Sequence, residues 1–135
     1  MKDNLLRKET SNNGTVRYFL DDELHREDGP AVEYANGSNM WYVYGERHRE
    51  DGPAVEFSDG ERRWYRHGNL HRENGPAVEF PAGIKYWYLN DKPHREDGPA
   101  VEYTNGSKWW YYDGEYIECS SQEEFKKLIK LKILW

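Results

Sequence analysis

The chain has 135 residues, a formal charge of −6, 36% hydrophobic residues and 16% aromatic residues, with a mean hydropathy of −1.14. That length suits one domain over residues 1–135, and that polarity excludes a thick two-layer core. Six Trp and eleven Tyr exclude a disordered polar chain and suit a thin sheet, whose half-buried surfaces accept large semi-polar rings.

At the start of the chain, Met1 to Ser11 holds no apolar run long enough for a secretory leader, and no later stretch is long enough to span a membrane. Cys119 is the single cysteine, which rules out an intrachain disulfide and a cysteine-based zinc site. A cytoplasmic protein is the expectation. The negative charge disfavours nonspecific contact with nucleic acid or anionic lipid.

From about residue 12 onward the chain is a repeat. His-Arg-Glu-Asp/Asn-Gly-Pro-Ala-Val-Glu-Tyr/Phe begins at His25, His48, His71 and His94, every 23 residues and without insertion. One unit has been copied and stacked. Gly14, Gly37, Gly60, Gly83 and Gly106 share one phase. Tyr18, Trp41, Trp64, Trp87 and Trp110 share another, each followed by an aromatic: Phe19, Tyr42, Tyr65, Tyr88 and Tyr111.

The phased glycines close Asn36-Gly37, Asp59-Gly60, Ala82-Gly83 and Asn105-Gly106, which between β-rich runs predict two-residue hairpin turns with positive φ at both positions. Ala82 fits this least, so the third turn is expected to differ. The register then pairs Val32 with Trp41, Val55 with Trp64, Val78 with Trp87, Val101 with Trp110 and Glu56 with Arg63. Alternation places Val, Trp and the Tyr/Phe before each turn on one apolar face, with a Trp ladder along it. Glu33, Glu56, Glu79 and Glu102 share the other face with the Tyr that follows each Trp. The link Gly45 to Pro53 reads as an irregular bend rather than a strand, with Gly29, Gly52, Gly75 and Gly98 supplying unusual φ and the next Pro fixing φ.

After residue 119, Ser120-Ser121-Gln122-Glu123-Glu124 offers two overlapping capping boxes. Phe125, Leu128, Ile129 and the apolar residues to Leu134 and Trp135 complete a short amphipathic helix, expected over 120–134 as a cap or cover for the sheet. Lys126, Lys127, Lys130 and Lys132 against Glu123 and Glu124 give this tail +2, leaving −8 on the rest. The fold class is therefore mostly β: a single-layer antiparallel meander of repeated hairpins over 12–117 with a C-terminal capping helix.

The 23-residue period, one hairpin per copy and aromatic-x-x-Gly signatures such as Trp41-Tyr42-x-x-Gly45 make the chain resemble the MORN repeat class. The His-Arg-Glu-Asp-Gly-Pro-Ala wording resembles a variant in proteins of bacteria, bacteriophages and large viruses. It departs from the common pattern where Glu-Asp/Asn-Gly-Pro replaces Gly-x-Gly and Asp91 replaces the glycine of Gly45, Gly68 and Gly114. The resemblance implies a binding or scaffold role, including a phage or mobile-element accessory protein that inhibits a host defence factor.

The four histidines invite a metal reading, but a ladder spacing of about 9–10 Å is too wide for shared zinc ligands. Four near-identical Glu-Asp sets also lack the distinct environments that acid–base catalysis needs. Neither an enzyme nor a cofactor is expected. Single-stranded nucleic acid could stack on the rings, yet Glu flanks every motif arginine. A protein partner is expected instead, met by Tyr42, Tyr65, Tyr88 and Tyr111 with Arg49, Arg72 and Arg95. Self-association through exposed sheet edges is a further expectation. The alternative is a small ligand or nucleotide held in aromatic clefts between repeats.

Overall fold

A computed structural model describes residues 5–134; the chain is mostly β, an antiparallel meander of short hairpin strands followed by one C-terminal helix. It divides into two compact units, residues 1–69 and 70–135. The first holds β1 (Leu6–Thr10), β2 (Val16–Leu20), β3 (Glu23–Leu24), β4 (Val32–Glu33), β5 (Asn39–Met40), β6 (Tyr42–Val43), β7 (Glu46–Arg47), β8 (Val55–Glu56), β9 (Arg62–Arg63) and β10 (Tyr65–Arg66). After β11 (Asn69–Leu70), the second holds β12 (Val78–Glu79), β13 (Lys85–Tyr86), β14 (Tyr88–Leu89), β15 (Lys92–Pro93), β16 (Val101–Glu102), β17 (Lys108–Tyr112), β18 (Glu115–Ile117) and α1 (Gln122–Ile133). Antiparallel pairing runs β1-β2-β4-β5-β8-β9 in the first unit and β12-β13-β16-β17-β18 in the second.

The turns at the phased glycines have three residues, not two. Tyr34 N–H donates to Ser38 O and Gly37 N–H donates to Tyr34 O. Of Ala35, Asn36 and Gly37, only Gly37 has positive φ, at 94°. This is a type I turn followed by a glycine bulge. Asn36 acts through its side chain, Oδ1 accepting from Ser38 N–H at 2.9 Å. Asn13, Asp59 and Asn105 do the same for Thr15, Glu61 and Ser107. The Ala82-Gly83 turn does not differ after all, since position 82 needs only negative φ: Phe80 N–H reaches Ile84 O and Gly83 N–H reaches Phe80 O.

The third residue slips the expected register by one. Val32 faces Met40, Val55 faces Arg63, Val78 faces Tyr86 and Val101 faces Trp109, while Glu56 faces Arg62 instead of Arg63. No valine in these pairs faces an indole of the Trp41 phase. At that phase the chain changes partners instead: Trp41 N–H donates to Ala54 O, and Trp41 O accepts from His48 N–H. Tyr18 and Trp87 repeat both bonds with Ala31 and His25, and with Ala100 and His94.

The tight two-residue turns lie in the link that reads as one irregular bend. β6 pairs with β7 and β14 with β15, across Tyr44-Gly45 and Asn90-Asp91, where both residues have positive φ. His67-Gly68 and Asp113-Gly114 share that conformation. These are type I′ turns with a non-glycine first residue, which is costly for an L side chain. A histidine one repeat earlier compensates. His25 Nδ1 accepts from Tyr44 N–H at 2.9 Å, His48 from His67 at 3.0 Å, His71 from Asn90 at 3.1 Å and His94 from Asp113 at 2.8 Å.

The remainder of the motif folds around its arginine. Arg49 donates through Nε to Asp51 Oδ1 at 3.0 Å and through Nη1 to Pro53 O at 3.1 Å and Glu56 Oε1 at 3.3 Å. Its guanidinium lies 3.9 Å from the centre of the Trp41 ring. Arg26 on Tyr18 and Arg95 on Trp87 repeat the arrangement at 4.0 and 3.8 Å, with the same acceptor set at both. Arg72 keeps its bonds to Pro76 O and Glu79, although Asn74 stands where the others have Asp.

This clamp explains the motif glycines. Gly29, Gly52, Gly75 and Gly98 have no positive φ, contrary to the expected role. A Cβ at each would meet the arginine Cζ at 2.9, 2.9, 3.0 and 2.6 Å. Glycine leaves open the space through which the guanidinium passes. The core beneath is thin: Ala31, Ala54, Ala77 and Ala100 have no exposed surface, and Val32, Val55 and Val78 next to them are buried.

Before the first motif copy, β1 pairs with β2 through five residues on each strand. It is a strand that the sequence signals missed, because Leu6–Thr10 lacks the motif wording. After the last hairpin, Ser121 caps α1 by accepting from Glu124 N–H, and the Glu124 carboxylate accepts from Ser120 N–H and Oγ. The helix is anchored on the last repeat. Gln122 accepts from Trp110 Nε1 at 2.8 Å and donates to Glu96 O at 2.9 Å, Phe125 is fully buried, and Lys132 pairs with Glu115. Leu131, Ile133 and Leu134 are exposed, so its last turn covers little; Trp135 lies outside the described residues.

Two substitutions test this account. Ala82→Asn restores the missing acceptor in the third turn and is expected to raise unfolding stability by about 0.5–1 kcal/mol in urea denaturation. Gly98→Ala drives the Arg95 guanidinium off Trp87 and Glu102 and is expected to cost about 1–3 kcal/mol in the same measurement. A Gly98→Ala chain as stable as the parent would contradict the close-approach explanation.

Candidate functional site

Side chains alternate across a strand, so the register assigns each residue to a face. Glu33, Asn39, Glu56 and Arg62 share one face in the first unit, as do Glu79, Lys85, Glu102 and Lys108 in the second. Arg49 touches both Trp41 and Glu56, and Arg95 touches both Trp87 and Glu102. The clamped indoles therefore lie on the carboxylate side, not with the valines. The expected ladder of Trp41, Trp64 and Trp87 is half-buried, and Trp110 is buried.

The opposite face is aromatic. In the second unit, strand positions place Val78, Phe80, Tyr86, Tyr88, Val101, Tyr103, Trp109, Tyr111 and Tyr116 on it. Phe80 meets Tyr86 edge-on at 5.3 Å and 75°, and Tyr86 meets Tyr103 at 6.3 Å and 76°. Tyr111 meets Tyr116 at 5.6 Å and 61°. Tyr103, Trp109 and Tyr116 are 37%, 41% and 46% exposed. The strand positions on this face bear no charged residue.

The first unit decorates the same scaffold differently. Where Tyr86 and Trp109 stand later, it has Met40 and Arg63; where Pro93 and Tyr116 stand, it has Arg47. Arg47 lies over Tyr42 and Tyr65 at 6.0 and 5.3 Å, and Arg63 lies over Phe57 at 5.5 Å. Arg63 also pairs with Glu61. These rings are covered by guanidinium groups from the chain itself.

The expected contact residues fall into two sets. Tyr42, Tyr65, Tyr88 and Tyr111 all lie on the aromatic face, Tyr65 buried and the others half-buried. Their carbonyls accept from the amides of Arg26, Arg49, Arg72 and Arg95 respectively. Arg49, Arg72 and Arg95 lie on the other side, engaged by motif acceptors. Tyr103 shares the valine face, as expected for the Tyr/Phe before each turn, but Tyr86 and Trp109 were expected on the other side because the register slips by one. Tyr116 belongs to the hairpin after the last tight turn, outside the expected contact set.

The carboxylate side contains open clefts between successive bends. One is lined by Arg26, Glu27, Asp28, Trp41, His48, Arg49, Glu50 and Asp51. The equivalent in the second unit is lined by Arg72, Glu73, Trp87, His94, Arg95, Glu96 and Asp97. The clamp arginines occupy these clefts and carboxylates rim them. Arg95 holds the Asp97 carboxyl below its usual range by hydrogen bonding. Each motif histidine uses Nδ1 as an acceptor, so its proton sits on Nε2, facing the motif Glu at 3.5–3.6 Å. Among the described residues, no three His, Cys, Asp or Glu side chains are grouped to hold a metal ion. Burial, with the Glu124 charge added, raises the Cys119 thiol above its ordinary range, the reverse of an activated nucleophile.

No family model matches the chain, and no curated protein matches it. Among the described residues, no helix is long and apolar enough to cross a membrane.

The aromatic face has a titration signature. A hydrogen bond with Tyr103, then burial, pushes the Tyr86 hydroxyl up from 10.0 to about 12. A folded value above the unfolded one gives stability that is full below pH 10 and lost as pH rises toward 12. Denaturation at stepped alkaline pH should show this loss in the native chain and a smaller one in Tyr86→Phe. Equal losses would mean that the Tyr86–Tyr103 bond is absent.

Proposed function

We propose that the chain is a non-enzymatic, MORN-like repeat module that binds a protein partner through its aromatic face. The observation behind this reading is the bare strip of Tyr86, Tyr103, Trp109 and Tyr116 in the second unit, three of them exposed, at strand positions without charge. Tyr and Trp dominate energetic hot spots because they bury much area at little conformational cost. Burying them against a partner completes a sheet that, among the described residues, has no second layer at this face. Arginines cover the corresponding rings in the first unit, so the second unit is the better docking region.

The non-enzymatic part rests on the repetition of near-identical charged groups, each engaged in its own clamp, without the asymmetric environments of an acid–base pair. An accessory protein that blocks a host defence factor is the setting suggested by the MORN-like resemblance.

A small-ligand reading would use the clefts beside Trp41 and Trp87. Their rims of Glu and Asp oppose a phosphate-bearing ligand, and their stacking surface is already taken by Arg49 and Arg95.

The test is affinity capture from lysate with the native chain, a Tyr103→Ser/Trp109→Ser chain and a Lys85→Ala/Lys108→Ala chain altered on the opposite face. The expected result is a stoichiometric protein lost by at least about tenfold (~1.4 kcal/mol) with the first variant and retained with the second. A partner captured equally by all three chains would reject the aromatic face as the contact surface.

A further inference from the structure

We propose that the aromatic face of residues 70–134 docks a proline-rich peptide segment in the polyproline II conformation. This rests on the reading of that face as a protein-binding surface and names the chemistry of what it takes.

Charge is the first constraint. The strand positions of this face bear no carboxylate, ammonium or guanidinium, whereas the reverse face alternates Glu79, Lys85, Glu102 and Lys108. A charged partner segment would be desolvated there without a counter-ion, which opposes binding. The complementary occupant is uncharged.

Ring geometry is the second. Neighbouring rings meet edge to face at 75°, 76° and 61°, so the face is corrugated rather than a coplanar platform. A flat sugar ring stacks on a platform; a pyrrolidine ring packs against upright aromatic rings. The ring positions also repeat. Phe80 and Tyr103, Tyr86 and Trp109, and Tyr88 and Tyr111 are equivalent positions one repeat apart, separated by two strand spacings of roughly 9.4–9.8 Å in all. A polyproline II helix advances about 9.3 Å per turn of three residues. A proline at every third position therefore meets the same pair of rings in register.

Hydrogen bonding is the third. A polyproline II segment has no internal hydrogen bonds, so its carbonyls need donors. The exposed Tyr116 hydroxyl and Trp109 indole offer two such donors. An α-helix has satisfied its own carbonyls and would leave these groups without acceptors.

The test is a titration of the full-length chain, followed by two-dimensional amide and indole NMR. The probes are decaproline, a ten-residue Gly-Ser peptide, an uncharged amphipathic helical peptide and cellohexaose. Decaproline is expected to shift the Trp109 indole resonance, with binding weakened about tenfold in Trp109→Ala and Tyr116→Ala and unchanged in Lys85→Ala. Trp109→Phe, which keeps a ring and loses the donor, should fall between, and its amide spectrum reports whether the fold is intact. No shift with decaproline overturns the proposal. A shift from the helical peptide alone overturns it while leaving the protein-binding reading in place. A shift from cellohexaose alone overturns both.

Discussion

The fold depends on one half-buried interaction, the motif arginine clamped between an aromatic ring and three acceptors. A hairpin meander of two-residue pairings has little apolar area to bury, and a guanidinium stacked on an indole supplies cohesion where a second layer is missing. The surrounding letters of the motif follow from its geometry. Aspartate two residues on takes Nε, and glutamate seven residues on takes Nη1 with the proline carbonyl. Glycine leaves room for Cζ. The alanine that follows the proline is small enough for complete burial, where its carbonyl receives the amide of the clamped ring's residue. The first letter belongs to a different joint, since histidine holds the strained turn of the next copy.

The architecture was legible because the copies are nearly identical and their glycines share a phase. The turn type was not, because Asn-Gly satisfies two turns. In a type I′ turn both residues need positive φ; in the three-residue loop only glycine does, and asparagine contributes an acceptor. Ala82 was the clue in the sequence: a residue poorly suited to positive φ, placed in a position that does not require it. The true I′ turns were hidden for the converse reason. Tyr44 and His67 are unusual at positive φ, and what steadies them is a histidine nineteen residues earlier in the chain, a pairing that local propensity does not express.

That single misplaced residue decided how much of the site could be read. It left Tyr42, Tyr65, Tyr88 and Tyr111 together on one face, because they share a phase. It also moved the valines away from the indoles and kept Tyr86 and Trp109 out of consideration. The helix was legible from Ser121 and Glu124. Its anchorage was not, because Gln122 looks like an ordinary first-turn residue until Trp110 and the Glu96 carbonyl are brought to its amide.

Variation among the copies separates the positions that build the clamp from those that decorate the opposite face. Arginine, glycine, proline, alanine and glutamate are invariant in all four motif copies, and each has a part in the clamp. The aromatic face has no such uniformity. Opposite successive valines stand Met40, Arg63, Tyr86 and Trp109, and in the strand that returns from the tight turn stand Leu24, Arg47, Leu70, Pro93 and Tyr116. If these positions served only to pack the sheet, one good choice would suffice in every copy, as it does for the clamp. Their progression from guanidinium-covered rings to bare ones sets different chemistry along an otherwise uniform scaffold. The frame stays the same from copy to copy while this face changes, and the uncovered rings of the second unit are the ones proposed to meet a partner.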